Sequence, residues 1–410
     1  MTSPPFGFGP SGDDDPATPA DPFAGQGGAP DLGAMLHQLG DLMSGETGPV
    51  NWQVARQSAM EVIGADAGTT ATDNTEVADA LRLADIWLDP VTALPSGVVS
   101  TEAWSRRRWL EATRPAWTEL VEPVAARVGG AMGAAIPEEM RSMAAPLMGV
   151  MTQLGGLMFG GQVGQALGTL ATEVVSSSDI GVPLGPDGVA ALLPESVRAL
   201  GDGLSVPLDQ VRLFVALREA AHHRLFRHVP WLRAHLFAAV RGYAEGITID
   251  TDKFEQLAWS VDPSDPESLQ RAIGEGLFEP TATPAQQAAL ERLETALALV
   301  EGWVDTTTAA AAGAQLPSFS ALQETMRRRR ASGGPAERTF ATLVGLELRP
   351  RRLREAATLW QTLGERRGID GREAVWSHPD LLPGAADLDD PQAWAERGPD
   401  DSFDISELEK

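Results

Sequence analysis

Apolar residues recur at spacings of three and four along most of the chain from residue 51 onward. Trp52, Ala55, Ala59 and Val62 are one example, and this spacing is typical of one face of an amphipathic helix. Further helices are predicted over 104–128, 288–305, 319–330, 336–346 and 351–367. Alternating β-branched runs are scarce, and only short pieces such as 247–249 suggest a strand. The pattern therefore predicts a mainly α body.

One long segment without charges, residues 142–172, carries glycine at every fourth position from Gly156 to Gly168. It is long enough to span a bilayer, and in lipid such a glycine ridge is a helix-dimer face. However, the segment also contains three Gln and Pro146, and no basic flank marks one end. These features favour a buried helix whose glycines allow a neighbouring backbone to approach closely. A membrane-anchored protein is the less favoured interpretation.

The composition excludes several functional classes. The 410 residues include 32 Lys+Arg and 57 Asp+Glu, a formal net charge of -25, whereas a general nucleic-acid binder carries a surplus of positive charge. Because there is no cysteine, the chain has no disulfide, no Cys-ligated zinc and no thiol nucleophile. Any metal must be bound by His, Asp, Glu or backbone oxygen. The sequence also contains no P-loop and no G-x-S-x-G nucleophile elbow.

The two ends of the chain differ from the middle. Residues 1–50 contain no Lys or Arg and are rich in Gly, Pro and Asp, a composition that buries too little apolar surface to offset chain entropy. Residues 380–410 are strongly acidic. We therefore predict a disordered segment over 1–48, one helical domain over 49–391 and an acidic tail over 392–410. No signal peptide is recognisable, and a cytoplasmic location is expected.

The candidate chemistry lies in residues 207–246, which contain four of the six histidines. Pro230 breaks the apolar pattern between two predicted helices. Arg218 and His222 fall on the apolar stripe of the first helix, with Glu219 beside them. Buried polar groups of this kind need partners, because burying them bare costs several kcal/mol. A structural hydrogen-bond network would satisfy them, and so would a metal site.

Residues 218–222 read Arg-Glu-Ala-Ala-His, which is close to a known zinc motif. In H-E-x-x-H, two histidines one helical turn apart bind zinc and the glutamate acts as general base. The glutamate and the second histidine are present here, but Arg218 replaces the first histidine. Arginine has no lone pair to give to a metal. By itself, E-x-x-H is a weak signal that many helices contain.

Seven segments along the chain carry a resemblance that is not confined to this helix: PVNW (49–52), QVGQALG (162–168), REAAHHRLF (218–226), VPWL (229–232), LVEGWVD (299–305), GLELRP (345–350) and WSHPDLLP (376–383). In these segments the chain resembles the actinobacterial zincin-like metallopeptidase family, over roughly residues 50–391. Each segment is weakly specific alone, and together they are specific. The resemblance implies a zincin-like helical body and zinc-dependent hydrolysis of a peptide or protein substrate.

The resemblance also implies roles for individual residues. Glu219 would be the general base that activates a zinc-bound water, and His222 would be a zinc ligand. His223 could substitute for a missing ligand, and Glu301, on a later helix, would complete the set. These roles make zinc the expected cofactor.

Two positions depart from the family pattern together. Members with an intact H-E-x-x-H show Glu-Gly-His where this chain has Glu301 and Gly302 followed by Trp303, and Arg218 is the other departure. Two hypotheses follow. The chain is a zinc-dependent metallohydrolase, or it is a degenerate member that binds a peptide or protein partner without chemistry. In the second case the guanidinium of Arg218 would pair with Glu219 or Glu301.

Other candidates have ordinary structural explanations. His378 could enter the site as a ligand or a transition-state donor, although a role in a turn is favoured. His228 and His235 are expected at helix ends or on the surface. The arginine run 327–330 could bind nucleic acid or phosphate, but in so acidic a chain pairing with acidic surfaces of the same molecule is favoured. No nucleic-acid partner is expected.

Overall fold

A computed structural model describes residues 48–134, 138–246, 283–313, 315–331, 339, 340, 343 and 352–397. Its helices are α1 (Trp52–Ile63), α2 (Ala71–Leu88), α3 (Arg106–Ala134), α4 (Glu138–Glu173), α5 (Pro194–Gly201), α6 (Leu208–His228), α7 (Leu232–Glu245), α8 (Pro284–Ala312), α9 (Phe319–Ala331), α10 (Leu353–Glu373) and α11 (Pro391–Arg397). The strands are β1 (Ser100–Ala103) and β2 (Val189–Leu192), and 3-10 turns lie at Ala374–Ser377, Pro379–Leu381 and Ala386–Asp389. The prediction of a mainly α body is confirmed.

Local sequence sets where several helices begin. Thr70 and Asp73 form a capping box at the start of α2, and Thr283 and Gln286 form another at the start of α8. The helices predicted from periodicity near 288–305, 319–330 and 351–367 are confirmed as α8, α9 and α10, and the ends of α8 and α10 differ from the prediction by up to seven residues. The helix predicted over 336–346 falls mostly outside the described residues.

The glycine ridge of α4 packs on α1, as the sequence predicts. A Cβ atom added to Gly160 would lie 2.5 Å from the carbonyl oxygen of Asn51, and one added to Gly164 would collide with the carbonyl oxygen of Ala55. The two helices therefore meet backbone to backbone, and only glycine fits at these contacts. Among the described helices, none is long and apolar enough to cross a membrane.

The two strands pair in parallel, with Ser100 opposite Val189 and Ala103 opposite Leu192. On its other side, β2 is joined by an antiparallel bridge between Ser176 and Leu192. Sequence analysis missed both strands, because four-residue strands rich in Ala and Ser carry no alternating β-branched pattern. The strand suggested at 247–249 lies outside the described residues.

Helix α6 lies at the centre of the body, and α2, α5, α8, α9 and β2 pack against it. Every residue from Phe214 to Leu225 is buried. Arg224 joins α6 to α2, because its guanidinium pairs with Asp85 at 3.0 Å and with Asp89 at 2.6 Å. The buried stretch of this helix must find protein partners for each polar side chain that it carries.

The helical body continues beyond the predicted boundary at residue 391. Helix α11 lies inside the stretch predicted as an acidic tail, and it buries Trp394 and Ala395. Residues 392–397 are therefore part of the helical body, because the apolar area of one buried tryptophan outweighs the acidic composition around it. Residues 398–410, and all but the last residue of the segment predicted as disordered over 1–48, lie outside the described residues.

Candidate functional site

Helix α6 presents four adjacent polar side chains in two pairs. Arg218 and His222 are one turn apart and share one face, and Glu219 and His223 share the next. All four are buried, with Glu219 0% and His222 1% exposed. The pairs meet different partners, which divides the site into two parts. We call these the Glu301 cluster (Arg218, His222, Glu301, Asp305 and Arg330) and the Glu219 cluster (Glu219, His223, Ser177, Ser178 and the Ala191 backbone).

In the Glu301 cluster, a guanidinium and an imidazole share one carboxylate. Arg218 Nη2 donates to Glu301 Oε2 at 2.5 Å, and His222 Nε2 lies 3.1 Å from Glu301 Oε1. The second Arg218 nitrogen lies 3.7 Å from Asp305 Oδ1. His222 Nδ1 lies 2.9 Å from the Arg218 carbonyl oxygen, which fixes the ring. Of the two acids considered as partners for Arg218, Glu301 is the one that it contacts.

The arginine run of α9 supplies a second guanidinium to this cluster. Arg330 pairs with Glu301 through Nη1, and its Nη2 donates to the Asp179 carbonyl oxygen at 2.9 Å. Arg327 and Arg329 also pair with acids of the body, at 2.6 Å and 3.0 Å. The interpretation that this run pairs within the molecule is confirmed for these three arginines.

The surrounding charges keep the Glu301 cluster ionised. Burial alone would raise the pKa of Glu301, but the positive charges of Arg330, His222 and Arg218 hold that pKa well below its ordinary value. Burial and the charge of Arg330 lower the pKa of Arg218, and the charge of Glu301 opposes them. A guanidinium remains protonated in proteins. The cluster is therefore a buried ion-pair network, with the positive charge of Arg218 beside His222.

The carboxylate of Glu219 turns toward the 176–178 segment and β2. It accepts hydrogen bonds from both the hydroxyl (2.5 Å) and the N–H (3.2 Å) of Ser178, and from the hydroxyl of Ser177. The N–H of Ala191 and the ring nitrogen Nε2 of His223 are each 3.2 Å away. Two of these donors are backbone groups at the end of the short antiparallel ladder, so Glu219 ends that ladder and ties it to α6.

These contacts make Glu219 a weak base. Burial alone would raise its pKa, but the hydrogen bond and charge of His223, with hydrogen bonds from Ser177 and Ser178, lower the pKa of Glu219 to about 2. A general base works best when its pKa is near the operating pH. The arrangement favours an anchoring role for Glu219, and its role as general base stays a prediction.

The donor set does not fit a catalytic zinc. Such a site has three protein ligands and an open position for water. His222 and Glu301 face each other, but the remaining position of the motif holds Arg218, which has no lone pair. His223, the substitute considered above, contacts Glu219 instead. Across the described ranges, no three His, Cys, Asp or Glu side chains are placed to hold a metal ion.

The other histidines that the structure describes lie outside both clusters. The His378 side chain is 62% exposed, and its Nδ1 accepts a hydrogen bond from the Asp380 N–H at 3.2 Å. His378 therefore caps the 3-10 turn Pro379–Leu381. His228 ends α6 and is exposed, and His235 is half-buried in the first turn of α7.

Trp303, the second departure from the family pattern, belongs to a different contact. It is fully buried, and its indole N–H donates to Glu373 Oε2 at 2.7 Å. Gly302 lets α8 approach α10, because a Cβ there would lie 2.7 Å from that of Ala356. Glu301 therefore points into the Glu301 cluster while its neighbours build the α8–α10 interface.

Sequence analysis missed the partners that come from other elements. These are Ser177, Ser178, Asp179 and Asp305, together with the individual role of Arg330. The run Ser-Ser-Ser-Asp at 176–179, shortly after the uncharged segment 142–172, was the one local signal available. A buried glutamate on α6 demands donors, but periodicity does not say which segment supplies them.

An open cleft lies beside the Glu219 cluster. One wall is the loop 183–188, and the other is formed by His223, Phe226 and Arg227 of α6. Ser177 and Ser178 line it as well. The ring of Phe226 stacks on His222 with 5.7 Å between ring centroids, so Phe226 contacts the Glu301 cluster and also lines the cleft.

Comparison with known protein families identifies the family of this chain. The family model of the zincin-like metallopeptidases matches residues 50–395. The chain therefore belongs to the zincin-like metallopeptidase family, which confirms the resemblance drawn from its sequence segments. No curated protein matches the sequence.

One solved structure is similar over nearly its whole length. It is a crystal structure from Chloroflexus aurantiacus described as "a putative hydrolase with a novel fold". The two chains are 21% identical with a TM-score of 0.61, and the match covers 85% of this chain and 98% of that one. At this identity, the likeness shows a shared fold.

Proposed function

We propose that this chain is a zincin-like protein that binds a peptide or protein segment without zinc-dependent hydrolysis, with Arg218 in the place of the metal. The observation that carries the proposal is the 2.5 Å contact between Arg218 Nη2 and Glu301 Oε2. A buried carboxylate beside an imidazole needs a positive charge, and here a guanidinium supplies it. The planar guanidinium also suits a carboxylate geometrically.

The state of Glu219 supports the same conclusion. A base that activates water must have an oxygen free to accept the proton and a pKa that lets it do so. Both oxygens of Glu219 already accept hydrogen bonds, and its pKa is lowered to about 2. Residues of the motif are therefore present on α6, and their contacts join this helix to its neighbours.

A binding role is compatible with the open cleft that lies beside the Glu219 cluster. The cleft lined by 183–188, His223 and Phe226 is open to solvent and has both polar and apolar walls. Ligand sites commonly combine apolar walls with a few fixed polar groups. A peptide segment is the partner that membership of a peptidase family suggests.

A zinc-dependent metallopeptidase is the second candidate. Family membership favours it, as does the 3.1 Å spacing of His222 Nε2 and Glu301 Oε1, two atoms that could bind one metal together. In that case Glu219 would serve as general base and His223 would assist as a ligand. The candidate requires a third ligand in place of Arg218.

Metal content distinguishes the two candidates. Tag-free protein, purified without chelator and then dialysed with zinc, is analysed by elemental mass spectrometry as wild type, Arg218→His and Arg328→His. The first variant restores H-E-x-x-H, and the second makes the same change on a side chain that is 80% exposed. We expect about one zinc per chain for Arg218→His alone.

A peptide-hydrolysis assay with a quenched fluorescent peptide accompanies this measurement. The proposal expects no chelator-sensitive cleavage by the wild type. Zinc bound by the wild type, lost in His222→Ala and accompanied by chelator-sensitive cleavage, would overturn it and establish the metallopeptidase.

A further inference from the structure

Residues 174–179 follow α4 and are all buried, although they belong to none of the helices or strands described above. Two backbone hydrogen bonds of 2.9 Å attach them to β2 and its end. The N–H of Ser177 donates to the carbonyl of Ala191, and the carbonyl of Val175 accepts from the N–H of Leu193. The other polar groups of the segment need partners among its neighbours, because an unpaired buried group is costly. The position of this segment therefore depends on the elements on either side of it.

On one side, the segment is attached to Glu219 of α6. The hydroxyls of Ser177 and Ser178 donate to the two oxygens of that carboxylate, and the N–H of Ser178 donates to it at 3.2 Å. Hydrogen bonds to an ionised acceptor are stronger than those between neutral groups. These three bonds hold the segment on the Glu219 cluster, with both serines in the wall of the cleft.

On the other side, two arginines of α9 hold the same segment. Arg329 Nη1 lies 3.0 Å from Asp179 Oδ2, an oxygen that also accepts the Val175 N–H at 3.1 Å. Arg329 Nη2 donates to the Glu173 carbonyl oxygen, and Arg330 Nη2 donates to the Asp179 carbonyl oxygen at 2.9 Å. We call Asp179, Arg329 and Arg330 the ionic lock. The segment thus lies between the ionic lock and Glu219.

The attachment on the α9 side is electrostatic. Met326 is buried, but none of the four arginines from Arg327 to Arg330 is, so this end of α9 is held by ion pairs and hydrogen bonds. The Asp179 side chain is 5% exposed and that of Arg329 is 21% exposed. An ion pair that solvent reaches weakens with salt, and a buried carboxylate that loses its cation is strongly destabilised. Loss of the Arg329 contact should therefore loosen this segment in particular.

We propose that the ionic lock decides whether residues 174–179 stay on the Glu219 cluster. When Arg329 releases Asp179, the carboxylate turns toward solvent, the segment detaches and its serines leave Glu219, while the helical body stays folded. Because two of these serines line the cleft, the ionic lock regulates the shape of the cleft. The consequence for peptide binding rests on the proposed function.

The test is hydrogen–deuterium exchange of the full chain, without peptide or metal, resolved to single amides by mass spectrometry. Wild type is compared with Arg329→Gln and with Arg328→Gln, which changes a side chain that is 80% exposed and pairs within its own helix. In Arg329→Gln we expect the amides of Val175 and Ser178 to exchange about tenfold faster or more, because the segment opens locally at a lower cost. Arg328→Gln should exchange like wild type.

The amide of Ser178 distinguishes an ionic lock from a local contact. The N–H of Val175 donates to the Asp179 carboxylate itself, so its exchange would rise even if the segment stayed in place. The N–H of Ser178 donates to Glu219, and it exchanges only when the segment detaches. Unchanged exchange at Ser178 in Arg329→Gln would overturn the proposal. An equal rise in the amides of α10 would also overturn it, because that would be global unfolding.

Salt provides a second measurement that needs no variant. Raising NaCl from about 0.1 M to about 1 M shortens the screening length from about 10 Å to about 3 Å. In wild type, Ser178 should then exchange faster relative to the amides of α10. No such change would overturn the proposal even if Arg329→Gln fails to fold. Because neither peptide nor metal is present, a failure of the proposed function would leave these results unchanged.

Discussion

Arg218 Nη2 lies 2.5 Å from Glu301 Oε2, on the helix turn where H-E-x-x-H would present its first zinc ligand. Both side chains are buried, at 7% and 10% exposed. Arg218 comes from α6 and Glu301 from α8, so the pair joins two central helices. A buried pair of this kind has clear energetic consequences, because each charge depends on the other.

Removing one member of this pair should be costly. Arg218→Met is expected to lower the free energy of unfolding by about 3–5 kcal/mol, because it leaves Glu301 with less compensation in a buried position. Urea denaturation followed by circular dichroism measures this. In Arg218→Met with Glu301→Leu, the loss should be clearly smaller than the sum of the two single losses. Additive losses would show that the two side chains do not interact.

Two neighbouring arginines of α9 should respond differently to the same change. Arg330 pairs with Glu301 and with the Asp179 backbone, and its side chain is 16% exposed. Arg328 is exposed and pairs with Glu324 of its own helix. Arg330→Gln should cost about 3 kcal/mol or more, and Arg328→Gln less than about 0.5 kcal/mol. Equal costs in urea denaturation would contradict the pairing described for Arg330.

The ionisation of Glu219 predicts a dependence of stability on pH. Its pKa in the folded protein is about 2, below the ordinary value of 4.5. A depressed pKa stabilises the fold above pH 4.5, and this contribution is lost as the pH falls toward 2. At neutral pH, Glu219→Gln should therefore be less stable than wild type by about 3 kcal/mol.

The two proteins are compared over a range of pH, so that each protein at neutral pH is its own reference. Urea denaturation of wild type and Glu219→Gln should give a difference that shrinks as the pH falls from about 4.5 toward 2. Glu301 contributes to acid sensitivity in both proteins, so only the difference reports on Glu219. A difference that is independent of pH down to 3 would mean that Glu219 does not carry this charge.

The glycine ridge allows a comparison within one helix. An alanine at position 164 would press its Cβ against the Ala55 carbonyl oxygen, whereas position 161 faces open space. Gly164→Ala should destabilise by about 1–3 kcal/mol or more, and Gly161→Ala should be neutral or stabilise by up to about 1 kcal/mol. Thermal unfolding of both variants tests this, and similar melting temperatures would argue against the close α1–α4 contact.

Several features were predictable from the sequence because they depend on neighbours along the chain. Apolar spacing located α8, α9 and α10, and Pro230 separated α6 from α7. The four-residue spacing of glycines predicted a close helix contact, although it did not identify α1 as the partner. The sequence pattern did not predict β1, β2 or the docked helix α11, because each depends on contacts with distant segments.

The sequence by itself determined the helical class of this protein, its family and the side chains available on α6. Only the tertiary structure decided how those side chains are used: Arg218 and His222 meet Glu301, while Glu219 and His223 meet Ser177 and Ser178. Helical periodicity depends on residues that are close together in the chain, so it can be recognised from the sequence alone. The partner of a buried charge depends on which segments the fold brings within about 3 Å of it. The spacing of residues along the chain does not predict that distance.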